Sequence, residues 1–123
     1  MLPPVFKPQK KRHRLKSNRD FQSIYSKGRF FASPLLVLYY LPGAKDTATR
    51  IGYAVARKSG KAVKRNRLRR RLREIVRLNT GVLPAEGASF IVMTRQSAAL
   101  SSYDDLNNAY LRVTAAFGRW KRA

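Results

Sequence analysis

Apolar residues recur along this chain with two alternating periods, and the alternation lays out its elements. Phe21, Ile24 and Tyr25 have helical spacing. Ser17 or Asn18 can cap the helix they define, Asp20 lies in its first turn, where the helix dipole favours negative charge, and Gly28 stops it. From Phe30 to Leu41 the chain is dense in aromatic and aliphatic residues and reads as extended, with Pro34 dividing it into two strand segments. Pro42, Gly43, Lys45 and Asp46 make a turn. A strand is predicted over 50–58, where Ile51, Tyr53 and Val55 alternate with Gly52, Ala54 and Ala56. One face of that strand is bulky and the other almost bare. A bare face admits close approach by a packed helix or a flat ligand.

A long helix is predicted from Ala62 to Leu78, with Leu68, Leu72, Ile75 and Val76 on one side. At about 100° per residue, Asn66, Arg70, Arg73 and Arg77 fall opposite, and Arg65 and Arg69 border the apolar stripe. Asn79, Gly81 and Pro84 end the helix. Ser89 to Thr94 is continuously apolar, the pattern of a buried central strand. Ser101 or Ser102 caps a last helix, with Asp104 and Asp105 near its positive end. Its core stripe is Tyr103, Leu106, Tyr110, Val113 and Phe117, with Trp120 at its end. Helix, two or three strands, helix, strand, helix is the order of an α+β sandwich, its helices packed on one small sheet.

Composition sharpens this picture. A chain of 123 residues with 44% hydrophobic content supports one modest core. Met1 to Lys11 is Pro-rich and basic and reads as a flexible arm preceding a domain over 12–120. Lys and Arg number 27 against 6 Asp and Glu, a formal net charge of +21. Such an excess opposes compaction unless a polyanion neutralises it. Nucleic acid is the leading partner, ahead of an anionic membrane surface, because no apolar run is long enough to span a bilayer. With no cysteine, disulfides and thiolate metal sites are excluded. No apolar segment follows the basic N-terminus as a secretory signal requires, so the expected location is the cytoplasm.

The basic helix is too one-signed to be only a solvated face. Arg65, Arg69 and Arg73 form an i, i+4 ladder, as do Arg67 and Arg71, and like charges at that spacing destabilise a free helix. A bound polyanion relieves the repulsion. Arginine suits RNA because its planar fork grips phosphate bidentately or stacks on a base.

The segment Gly60-Lys61-Ala62-Val63-Lys64-Arg65-Asn66-Arg67-Leu68-Arg69-Arg70 resembles the Arg-Asn-Arg signature of the bacterial ribonuclease P protein family. Arg12-His13-Arg14-Leu15 followed by Asp20-Phe21 resembles the family's N-terminal motif, and Ile91 to Arg95 its last strand. The likeness runs from about Lys11 to Phe117. It implies a single-domain α-β-β-β-α-β-α sandwich with a small mixed sheet, resembling ribosomal protein S5 domain 2-like folds. It also implies a left-handed β-α-β crossover, against the general rule. The implied role is to bind a catalytic RNA, with precursor tRNA as the second partner, and help it remove the 5′ leader. Mg²⁺ would be held mainly by RNA, with no membrane and no obligate protein partner.

Phe21 and Tyr25 fit either a core or the wall of a cleft, by spacing alone. Val37 and Tyr39 share a face of the preceding strand segment, and the bare face carrying Ala54 needs something opposite it. The resemblance favours a leader-binding cleft built from Phe21, Tyr25, Val37, Tyr39 and Ala54. It assigns Arg57, Lys58, Gly60, Arg65, Asn66, Arg67, Arg69, Arg70 and Arg73 to RNA binding. No catalytic or metal-binding residue is expected in this chain. The carboxylates Asp20, Asp104 and Asp105 start helices, Asp46 and Glu86 lie in turns, and Glu74 stands among arginines as an ion-pair partner. His13 is the only histidine, so no two-histidine acid–base pair exists within one chain. The rival readings are a ribosomal or general structural RNA-binding protein, a DNA-binding module and an autonomous nuclease.

Overall fold

The computed structural model describes residues 13–15 and 17–123, so the expected arm over 1–11 lies outside the described residues. Its elements are β1 (His13–Arg14), α1 (Asn18–Lys27), β2 (Arg29–Ala32), β3 (Leu36–Pro42), β4 (Arg50–Val55), α2 (Ala62–Leu78), β5 (Ala88–Thr94) and α3 (Tyr103–Arg122). Short 3₁₀ turns, Arg57–Ser59 and Gln96–Leu100, precede α2 and α3. The five strands form one mixed sheet in the order β1-β4-β5-β3-β2. β5 is central, parallel to β4 and antiparallel to β3, and is buried over nearly its whole length. Its unbroken apolar run follows from that position, since both of its faces are covered.

The helices start where capping chemistry places them. The Ser17 side chain accepts a hydrogen bond from the Arg19 amide, and Ser102 and Asp105 form a reciprocal capping box at the start of α3. Pro34 lies in the turn between β2 and β3, where Ser33 closes on Leu36 through backbone and side chain.

Two expectations need correction. The strand predicted over 50–58 ends at Val55. The Ala56 amide makes a last bond to the Thr94 carbonyl, but the Ala56 carbonyl accepts from the Ser59 amide, so the chain leaves the ladder for the 3₁₀ turn at Arg57–Ser59. β1 was not anticipated. It is two residues long, pairing His13 with Arg50 and Arg14 with Ile51, too short to show a period.

Alternate strand residues face two separate layers. Leu36, Leu38, Tyr40, Ile51, Phe90 and Val92 meet the apolar stripes of α2 and α3, and this is the main core. On α2, Leu68, Leu72, Ile75 and Val76 are all buried, which matches the predicted stripe. The other face carries a smaller cluster of Leu15, Ile24 and Ile91, with Phe21, Tyr39, Leu41, Ala54 and Met93 packed around it. Among the described residues, α1 and Leu15 cover this second face, and Ala54 and Met93 on it remain half-buried.

Candidate nucleic-acid interface

The cationic face of α2 is held rigidly by the main core. Asn66, Arg67, Arg70 and Arg77 are exposed, while Arg65, Arg69, Arg71 and Arg73 are half-buried along the flanks of the stripe. The half-burial of Arg73 departs from the helical projection, which placed it opposite the stripe. Arginine stems lie along apolar surface while their heads stay near water, so a flanking position buries part of the side chain. Little acid balances these groups. Glu74 pairs with Arg77 at 2.8 Å, and the Asn66 Oδ1 accepts from Arg69 Nη1 at 3.0 Å. The buried Nε of Arg65 finds no hydrogen-bond partner among the described residues.

The approach to α2 is a sharp backbone turn. Arg57 and Lys58 are exposed on the 3₁₀ turn, with Ser59 buried behind them. Gly60 then has φ 129°, a left-handed conformation that side chains rarely adopt, and its position directs the chain into the helix. The first turn of α2 carries no acidic residue, so its positive end is not neutralised from within.

The second face of the sheet forms a floor in two rows. One row is Gly52, Ile91, Tyr39 and Phe30, each beside the next in register; the other is Ala54, Met93, Val37 and Ala32. α1 lies across the first row. The Phe21 ring occupies the space over Gly52, where a Cβ would fall 2.6 Å from its Cζ, and Leu15 fills the remainder. Tyr25 meets Tyr39 edge-on with ring centroids 4.8 Å apart, and Phe30 lies 6.0 Å from Tyr39 on its other side. The Tyr25 hydroxyl lies 4.0 Å from the Met93 sulfur, at the edge of the second row. Tyr25, Tyr39 and Phe30 therefore form an aromatic line beside the second row, in which Ala54 and Met93 are half-buried and Ala32 is exposed.

The structure separates the two aromatic residues that spacing left equivalent. Phe21 is fitted into the sheet and anchors α1. Tyr25 is 37% exposed in the aromatic line, and Phe30, absent from the sequence-based set, is 62% exposed. Burial, followed by the neighbouring Tyr39, raises the Tyr25 pKa above the ordinary tyrosine value. Val37 is buried and supports the floor from within, whereas Ala54 and Met93 are half-buried. Met93 and Phe30 were missed because a continuously apolar run does not reveal which residues share a face; only the strand register does.

Among the described residues, no group of three or more His, Cys, Asp or Glu side chains could hold a metal ion. This part of the chain does not fit a protein-held Mg²⁺ cage. Asp20 receives Arg50 Nη1 at 2.9 Å, and Arg50 also reaches Ser89 Oγ at 3.3 Å, tying the start of α1 to the sheet. No helix among the described residues is long and apolar enough to cross a membrane.

The sequence model of the family described as ribonuclease P matches residues 9–118. The chain belongs to the ribonuclease P protein family. The ribonuclease P protein component of Clostridium kluyveri is 34% identical over 110 residues, covering 89% of this chain and 97% of the relative. That of Symbiobacterium thermophilum is 44% identical over 99 residues, covering 79% and 84%. The solved ribonuclease P protein of Thermotoga maritima superposes with a TM-score of 0.73 at 32% identity, covering 84% of this chain and 96% of that one. A Staphylococcus aureus ribonuclease P protein structure gives 0.74 at 30%, covering 86% and 95%. The α+β sandwich is thus the ribonuclease P protein fold, and the family places this chain in a ribonucleoprotein that contains ribonuclease P RNA.

Proposed function

We propose that this chain is the protein subunit of ribonuclease P and assists its catalytic RNA in removing the 5′ leader from precursor tRNA in the cytoplasm. The observation that carries the reading is the pairing of two unlike surfaces on one rigid domain. The arginine face of α2, with Arg57, Lys58 and Gly60 before it, docks on the catalytic RNA through phosphate contacts. Arg65, Asn66, Arg67, Arg69, Arg70 and Arg73 make up that surface. The aromatic wall of Tyr25, Tyr39 and Phe30 over the Ala54–Met93 floor takes the single-stranded leader, because unpaired bases stack on aromatic rings with little regard to sequence. Phe21 positions the wall.

Holding both polyanions on one cationic body screens their mutual repulsion and aligns the scissile phosphate. Bond breaking belongs to the RNA, with Mg²⁺ held mainly by RNA phosphates. The test is photocrosslinking from a precursor with a photoreactive leader, bound to the reconstituted holoenzyme. Adducts are expected on Tyr25, Phe30, Tyr39 or Met93 and not on α2. Leader adducts confined to α2 would overturn the assignment of the two surfaces.

A further inference from the structure

The 3₁₀ turn before α3 carries the most exposed large apolar side chain described, and the reading above makes no use of it. Leu100 is 90% exposed. A lone exposed leucine is ordinary, but this one is held in place and flanked on both sides. Ala98 beneath it is fully buried, and its amide donates to the Arg95 carbonyl. The Ser101 amide and hydroxyl both donate to the Ala98 carbonyl, and the Ser97 hydroxyl donates to Pro34. The turn is therefore stapled to the sheet end, and Leu100 projects from a rigid support.

Leu100 and Ala99 form a ridge between two hollows. One, of about 170 Å³, is bounded on its far side by Lys64, Arg67 and Arg71 of α2. The other, of about 500 Å³, is bounded by Lys58, Gln96 and Ser97. Among the described residues, four cations and no carboxylate line the pair. An apolar ridge with a three-cation hollow on one side and Lys58 on the other matches a strand that alternates flat apolar faces with phosphates. Arg67 and Arg71 also belong to the helix assigned above to the catalytic RNA.

We propose that Leu100 packs against an unstacked base of the catalytic RNA, whose flanking phosphates sit on Lys64, Arg67 and Arg71 on one side and Lys58 on the other. The inference rests on the assignment of α2 to that RNA and adds a base-contacting element to a phosphate-gripping one. Bulged or looped nucleotides, whose bases are free of the helical stack, are the targets it fits.

The experiment titrates ribonuclease P RNA transcribed in vitro with wild-type protein, Leu100→Ala, Leu100→Trp and Arg67→Ala across a salt series. Leu100→Ala should weaken binding about three- to tenfold with an unchanged salt slope, because an apolar contact releases no counterion. Leu100→Trp should restore or strengthen binding. Arg67→Ala should weaken binding and lower the slope by about one. Dimethyl sulfate probing of the RNA should show a base whose reactivity changes with wild-type protein and not with Leu100→Ala.

Wild-type affinity in Leu100→Ala together with weakened Arg67→Ala would overturn the Leu100 proposal and leave the α2 assignment standing. Wild-type affinity in both would remove the α2 assignment too. If Leu100→Ala left RNA affinity intact but abolished concentration-dependent dimerisation in sedimentation, the ridge would belong to a second copy of the chain, and the proposal would fall.

Discussion

The ring of Phe21 occupies the volume that a side chain at Gly52 would need, with 2.6 Å between its Cζ and a Cβ built there. The bare face of β4 is thus the seat of α1. Gly52→Ala should force the ring and Leu15 to shift and destabilise the fold by about 1–3 kcal/mol, the usual range for overpacking. Phe21→Ala removes half-buried contacts and should cost roughly 1.5–3 kcal/mol. Because the two changes act on one space, Gly52→Ala should cost less in the Phe21→Ala background. Urea melts of the four proteins check this, and strictly additive losses would separate the two residues.

Tyr25 and Phe30 are exposed enough to be removed without collapsing the core. Tyr25→Ala and Phe30→Ala should each weaken holoenzyme affinity for precursor tRNA by about 1–3 kcal/mol per lost stacking contact. Affinity for mature tRNA, which has no leader, should stay unchanged. Equal losses for the two ligands would remove these residues from leader recognition.

The arginine ladder on α2 should be a liability in the free protein. Arg69→Gln should raise the stability of the isolated protein by about 0.2–0.5 kcal/mol at low ionic strength, with the gain shrinking as salt is added. The same change should weaken RNA binding and lower its salt slope by roughly one phosphate contact. Parallel melts and binding isotherms over one salt series measure both effects. A stability gain without a change of slope would place Arg69 away from phosphate.

Tyr25 should titrate above the ordinary tyrosine value of 10.0, because burial, and after it Tyr39, disfavours the tyrosinate. A raised pKa in the folded state means that this group's contribution to stability is complete below the ordinary value. It is lost as pH rises through the folded one. The ultraviolet titration difference between wild type and Tyr25→Phe isolates the group. Tyr39→Phe should lower its midpoint only in part, since burial is the larger cause, and a midpoint at or below the ordinary value would contradict the packing described.

The helices and the central strand were legible because their residues carry strong periodicity and end signals. The α2 stripe at Leu68, Leu72, Ile75 and Val76, the Ser102 cap and the central position of β5 all follow from local pattern. The second face of the sheet was legible only in part. Its floor depends on register between strands distant in sequence, which pairs Met93 with Val37 on one side and Ala54 on the other. β1 escaped because two residues have no period. β4 ends at Val55 because the Ala56 carbonyl turns back to the Ser59 amide in the 3₁₀ turn that follows, a change of course that the alternation of Ile51, Tyr53 and Val55 does not mark.

The division of labour between a cationic protein scaffold and a catalytic RNA is tested most directly by reconstitution at low Mg²⁺. Precursor tRNA is incubated with the RNA alone, the protein alone and the two together, and release of the leader is followed over time. The account predicts rapid cleavage by the pair, slow cleavage by the RNA and none by the protein. Leader release by the protein without RNA, or a rate for the pair no greater than for the RNA alone, would contradict it.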